Sequence, residues 1–254
     1  MLTALVRAVS PAIARCELTH LERQPIEYER AVDQHDAYCA MLERLGARVV
    51  RLPAEPELPD SVFVEDPALL LDELAVILPL GVESRRPEAA LLAKTLSAYR
   101  PLEYVMLPGT IDGGDVLRVG RALFVGLTRR TNEEGIRQLR AIVARHGYEV
   151  TAVPVRGCLH LKSAATWIGG KTLLANRARF DTAAFAGFDW VDVDEREPRA
   201  ANALALGSKV IFPASFPRTR ERLEARGCRV ETLDISELQK AEAGLTCSSL
   251  LFDT

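Results

Sequence analysis

The chain has 254 residues, 48% of them hydrophobic, and its 32 basic and 35 acidic side chains give a net charge of −3. That length and apolar content suffice for a substantial core, so one globular domain spanning residues 1–254 is expected. Charges of both signs are interspersed, which argues against a nucleic-acid partner, and no apolar run is long enough to span a membrane. The opening MLTALVRAVSPAIARC lacks the basic start and cleavage pattern of a secretory leader. Five cysteines without paired spacing suit a reducing compartment, so the expected location is the cytoplasm.

Taken in order, LTALVRAV is the first strand-like segment. Arg15 to Gln24 follows as a polar stretch without periodicity, the best candidate for a mobile lid. A helix is predicted over Ile26–Leu45, where Ile26, Ala31, Tyr38, Met41, Leu42 and Leu45 recur at helical spacing and Gly46 supplies the stop. ARVVRLP then reads as a short strand and PAEPELPD as a proline-rich turn. AVILPLGVESRRPEAALLAKTLSAY holds a strand, a glycine turn and a helix with Pro87 in its first turn. GDVLRVG and VGRALFVG form a predicted hairpin through Gly120. Thr131 to Arg145 is amphipathic, with Ile136, Leu139, Ile142 and Val143 inward, and stops at His146-Gly147. GKTLLAN and GSKVIFPA are the corresponding second strands of the last third.

These segments repeat one pattern: strand, turn, strand, helix and often another strand. Each copy opens on polar or ionisable residues: Asp60 and Asp66, Asp112, His160, Asn202 and Cys247. The fifth copy begins at Thr246–Phe252 and is completed by the N-terminus. A repeat closed by both chain ends implies a ring, because each unit needs a neighbour to cover its apolar face. Strands running outward from a common axis would bring their opening residues together at one central site.

Cys247 sits at such an opening, between Thr246 and Ser248. A buried cysteine is ordinarily an apolar filler, and Cys16, Cys39, Cys158 and Cys228 are read that way. His160, flanked by leucines, would ordinarily be a hydrogen-bonded core residue, but its opening position makes a Cys–His pair across neighbouring units reasonable. His35 lies in the acid-rich string DQHD, yet inside a helix whose neighbours face different ways. Metal binding by paired spacing is therefore not expected. Asp60, Glu65, Asp66, Asp112 and Asp115 also stand at openings. Converging carboxylates repel unless a cation joins them, and a planar guanidinium or amidinium offers N–H groups that carboxylates match two at a time.

The motifs PDSVFVEDP, ESRRPE, PGTIDGGD, RTNEEG, LHLKS, AAN, PRTRE and LTCSSL, in order along the whole chain, resemble those of dimethylarginine dimethylaminohydrolases, members of the guanidino-group-modifying pentein superfamily. The resemblance implies a five-bladed α/β propeller (pentein) with pseudo-fivefold repeats, and hydrolysis of Nω-methylated arginines to citrulline and methylamines with no cofactor and no metal. It implies a small-molecule substrate as the partner and leaves monomer and homodimer both open. By motif, Cys247 is the expected nucleophile, His160 the acid/base and Asp112 its acidic partner. Asp60, Glu65 and Asp66 are expected to contact the guanidinium and amino ends of the substrate. Arg85 and Arg130 would hold its carboxylate, with Leu18 from the lid and the backbone of Ala241 as further contacts. The motif before the nucleophile departs from the family's Asp-Gly, since Glu242-Ala243 stands there. Arginine deiminases and amidinotransferases are the enzyme alternatives, both generally longer. A ribosome-binding, non-catalytic pentein is the alternative of another class, and it predicts no aligned Cys, His and Asp. A metal-dependent ureohydrolase is disfavoured by the missing His/Asp strings.

Overall fold

The computed structural model describes residues 1–254 as five three-stranded sheets built to one plan. The first comprises β3 (Ala68–Leu70), β4 (Ala75–Ile77) and β5 (Leu102–Tyr104), and the second β6 (Val116–Val119), β7 (Ala122–Leu127) and β8 (Glu149–Pro154). The third holds β9 (Ala165–Gly169), β10 (Thr172–Ala175) and β11 (Asp189–Asp192). The fourth holds β12 (Leu204–Leu206), β13 (Lys209–Pro213) and β14 (Arg229–Leu233). In the fifth, β15 (Leu250–Asp253) from one chain end pairs antiparallel with β1 (Leu2–Arg7) from the other, and β1 runs parallel to β2 (Arg48–Leu52). Every sheet repeats that order: first strand antiparallel to the second, second parallel to the third.

A parallel pair needs a crossover, and helices supply it in four units. They are α1 (Tyr28–Arg44), α2 (Pro87–Leu96), α3 (Glu133–Ala144) and α4 (Pro217–Ala225). In α1, Ala31, His35, Tyr38 and Leu42 form the buried stripe, and Gly46 adopts φ +95° just past its end. Pro87 and Pro217 start α2 and α4, while the Asn132 side chain caps α3 by accepting the Gly135 N–H at 2.8 Å. The third unit is the exception: two 3₁₀ turns, Arg177–Arg179 and Thr182–Phe185, make its crossover. Phe180, Phe185 and Trp190 of this unit cluster with Phe124 of the second sheet.

The core is divided between neighbours. One apolar cluster joins Val76 to Val125 across the first and second sheets, and another joins Phe124 to Leu173 across the second and third. Leu174 meets Phe212, Ile211 meets Val6, and Leu5 meets Ala75 in three more clusters. Each sheet therefore shares a core with two others, and the five close into a ring, as the repeat pattern predicts. No helix is long and apolar enough to cross a membrane.

Candidate active site

The opening residues do not begin the strands, as the sequence pattern suggested; they sit a few residues earlier, in tight turns. Asp112 precedes the 3₁₀ turn Gly113–Asp115, His160 precedes Leu161–Ser163, and Cys247 lies within Thr246–Ser248. A tight turn breaks the two-residue alternation of a strand, so the polar side chain can face inward while the following strand stays apolar on both faces. The GTIDGGD motif shows why glycine is needed. A Cβ on Gly114 would stand 2.4 Å from His160 Nδ1, and one on Gly113 would stand 2.0 Å from the Glu65 carbonyl oxygen.

These turns surround a cleft of about 550 Å³. Asp60, Glu65, Asp66, Arg85, Arg130, His160, Ala241 and Cys247 all line it, and Asp112 lies fully buried directly behind His160. Leu18 is the one predicted contact whose side chain turns away. It packs on the apolar cluster of Val9, Ile13 and Phe63, while its neighbours Glu17, His20 and Leu21 form the cleft wall.

His160 Nε2 lies 3.0 Å from Asp112 Oδ2, and its Nδ1 lies 4.0 Å from Asp66 Oδ1. Burial alone would lower this imidazole, but the carboxylates of Asp66, Asp115 and Asp112 outweigh it and raise His160 to about 9. The ring is therefore an imidazolium at neutral pH. Asp115 positions the turn rather than the ring: its carboxylate accepts from the Leu161 N–H and from the hydroxyls of Thr128 and Thr131. Burial lifts it to about 6 against those donors and the nearby His160.

Asp66 accepts from Arg85 Nη1 at 2.8 Å and from the Gly114 N–H at 3.0 Å. Burial opposes its ionisation, but Arg85 and His160 prevail and hold it at about 2. Arg85 also grips Glu88 with two hydrogen bonds of 2.8 and 2.9 Å, so this guanidinium is fixed by two buried carboxylates. Arg130 is less committed, with a 3.5 Å contact to Asp112 and a 3.0 Å bond to Thr19 Oγ1. Asp60 is buried and accepts only the Glu17 N–H. Its carboxyl is raised by burial, with Arg85 and that N–H opposing.

Cys247 accepts the Gly244 N–H at 3.4 Å. Burial, then the carboxylates of Glu65 and Asp66, push its thiol up to about 12, so without a ligand it is protonated. Lys162, which sequence reasoning missed, pairs with Glu65 and partly offsets its effect on the thiol. Its Nζ binds Glu65 Oε1 at 2.5 Å, and Glu65 Oε2 accepts from Thr246 Oγ1 at 2.8 Å. Asn202, noted only as a repeat opening, bonds both the backbone and the side chain of Thr246 and the Lys162 carbonyl. The signal was present in LHLKS and AAN, but nothing in the sequence says that two separate openings share one residue. Cys158, read as structural, also lines the cleft, and burial raises its thiol to about 11.

The side-chain atoms of Asp66, Asp112 and His160 converge within 4.8 Å of one another. Each carboxylate is already matched by a protein cation or N–H, and the imidazole is protonated, so the trio reads as a proton-handling group rather than a metal cage.

Comparison with known proteins places these residues in context. The sequence family described as N,N dimethylarginine dimethylhydrolase, eukaryotic, matches residues 17–175. N(G),N(G)-dimethylarginine dimethylaminohydrolase of Pseudomonas aeruginosa is 37% identical over 228 residues, covering 89% of this chain and 90% of that one. The Streptomyces coelicolor protein of the same name is 38% identical over 249 residues, covering 97% and 95%. The solved Pseudomonas aeruginosa structure of a cysteine-to-serine mutant with citrulline superposes with a TM-score of 0.94 at 34% identity, covering 98% of both chains. A histidine-to-glycine variant of dimethylarginine dimethylaminohydrolase, in adduct with S-methyl-L-thiocitrulline, gives 0.93 at 34% identity, covering 99% of this chain and 100% of that one. The N-terminal domain of the cyanobacterial arginine dihydrolase ArgZ shares the fold, with a TM-score of 0.85 at 19% identity, covering 99% and 98%.

Proposed function

The chain belongs to the dimethylarginine dimethylaminohydrolase family, and from that premise and the geometry of its cleft we propose that it hydrolyses Nω-methylated arginines to citrulline and a methylamine. The observation that carries the reading is the convergence of Cys247, the His160–Asp112 pair and Asp66 on one cleft.

Asp66 and Glu65 hold the guanidinium plane so that its central carbon faces Cys247 Sγ, a gain of orientation. The arriving cation offsets the two carboxylates that keep the thiol protonated, and the thiol gives its proton to solvent. Cys247 Sγ then bonds to the guanidinium carbon. The His160 imidazolium donates its proton to the methylated nitrogen, the C–N bond breaks and the amine leaves, giving a thiouronium on Cys247. The now neutral His160 takes a proton from water, whose oxygen bonds to the same carbon. The C–S bond breaks, the added hydroxyl gives its proton to the Cys247 sulfur, and citrulline is released with the thiol restored. Asp112 keeps the ring oriented and holds it as an imidazolium until it gives its proton to the leaving amine. Asp60 and the backbone of Leu18 and Ala241 meet the substrate's amino end, and Arg130 with Arg85 meets its carboxylate. The cytoplasm is the proposed setting, in keeping with five unpaired cysteines.

The test is incubation with asymmetric dimethylarginine, monomethylarginine and arginine, measuring citrulline and the released amine for each. Citrulline with methylamines is the expected result. Citrulline and ammonia from arginine alone would make this chain a deiminase instead.

A further inference from the structure

Glu242 is the only non-glycine residue in the chain with a left-handed backbone, at φ +59°. A side chain rarely adopts that conformation unless its surroundings enforce it. Its carboxylate faces residues 17–21, a segment without regular structure whose backbone N–H groups have no ladder to join. Glu242 Oε2 accepts the Thr19 N–H at 2.9 Å, and Oε1 accepts those of His20 at 2.5 Å and Leu21 at 2.6 Å. Three successive N–H groups thus close on one carboxylate.

The clasp joins two walls of the cleft. On one side, Glu17, His20 and Leu21 line it; on the other, Ala241 to Gly244 do, and Cys247 follows three residues later. The strap is also tied at Thr19 Oγ1 to Arg130 Nη2, and at the Glu17 N–H to Asp60. Under the reaction proposed above, both of those partners meet the substrate's amino-acid end, Asp60 its ammonium and Arg130 its carboxylate. Resting on the reaction proposed above, we infer that Glu242 is a positioning residue that fixes the strap over the substrate's amino-acid end and so selects for substrates carrying that end.

Reach is part of the argument. The motif that the chain otherwise resembles has Asp at this place, one methylene shorter, so a shorter carboxylate on the same backbone cannot meet all three N–H groups as they stand. Glu242→Asp and Glu242→Gly therefore separate two effects. Glycine removes the clasp and also relieves the left-handed backbone, so the fold does not suffer. Aspartate keeps the charge and shortens the reach.

The experiment follows hydrogen exchange at the Thr19, His20 and Leu21 amides, with steady-state kinetics on asymmetric dimethylarginine and on its decarboxylated counterpart, which lacks the carboxylate. In Glu242→Gly, the three amides should exchange at least about tenfold faster, matching the loss of hydrogen bonds to a charged group. KM for dimethylarginine should rise about tenfold or more while kcat falls by less than about threefold. Turnover of the decarboxylated compound should change little, so discrimination between the two substrates narrows. Glu242→Asp should lie between glycine and the wild type. Unchanged exchange at the three amides overturns the inference, and so does an equal loss on both substrates or a loss confined to kcat. If the wild type turns over no methylarginine, the proposed reaction fails, while the exchange measurement still decides whether Glu242 holds the strap.

Discussion

The protonation state of Cys247 is the sharpest consequence of this geometry. The thiol is buried and faces Glu65 and Asp66, with Lys162 and the Gly244 N–H as partial relief, and stands at about 12. At pH 8 roughly one molecule in 10⁴ would carry the thiolate, against about one in four for an ordinary cysteine near 8.5. Alkylation of Cys247 in the ligand-free protein should therefore be about a thousandfold slower than that of an exposed thiol. It should still be rising tenfold per pH unit at pH 10. A guanidinium bound about 4 Å away contributes about 4 kcal/mol at an effective dielectric of 20. That corresponds to about three pKa units, which brings the thiol to about 9 when a ligand is present. The assay is an ultraviolet thiolate titration, with and without a guanidinium amino acid that is not turned over, with Cys247→Ser as the blank. A ligand-free midpoint below 9, or a midpoint that ligand leaves in place, refutes the reasoning. The first would mean that the carboxylates do not face the sulfur as described, and the second that the cation does not sit beside it.

The remaining predictions follow from the other charged groups. His160→Gly should lower turnover by roughly two to four orders of magnitude, the usual worth of a positioned acid/base. Because His160 is raised to about 9 and acts as an imidazolium, wild-type kcat should fall as pH rises through that value, while its ascending limb at lower pH follows loss of the Cys247 proton, which a pH–rate profile checks. Arg130→Ala should chiefly raise KM for methylarginines, with kcat and thermal midpoint nearly unchanged. Arg85→Ala should behave differently, because it strands Asp66 and Glu88 in the interior. A melting curve should show a loss of about 3–5 kcal/mol, the usual cost of breaking a buried pair.

Much of this was legible in the sequence because the architecture is a repeat. The openings at Asp112, His160 and Cys247 could be seen at once, and β15 and β1 were recognisable as two parts of one unit. The boundaries of α3 moved inward by two residues at its start, where Asn132 turned out to be the cap. The missing helix of the third unit was less visible, since RARFDTAAFAGFDW carries its aromatics without a helical period. What could not be read was pairing between units. The Lys162–Glu65 contact spans 97 residues and the Glu242–Thr19 contact 223, and neither has a local signature. The expectation for Arg85 was incomplete for the same reason. Its motif pointed to a ligand, but Glu88 three residues later, one helical turn away, makes it a structural pillar as well.

The distribution of charge around the cleft also argues for the kind of molecule that completes it. Glu65 is matched by Lys162, and Asp66 by Arg85 and the imidazolium of His160. Asp60 has no cation in direct contact, only an N–H, and it is buried; Arg130 keeps N–H groups in reserve beside a distant Asp112 contact. A buried carboxylate that lacks a counter-ion and a buried guanidinium with spare donors are each unfavourable alone. Under the proposed reaction, an α-amino acid satisfies both at once, its ammonium at Asp60 and its carboxylate at Arg130. A planar cation at the far end then reaches Asp66 and lowers the Cys247 thiol into a workable range. A simple amine, a simple acid or an unsubstituted guanidine satisfies only one of the three positions. Under the proposed reaction, the discrimination between methylarginines and smaller guanidines therefore comes from groups remote from the reacting carbon, which act by fixing the distance between that carbon and the sulfur.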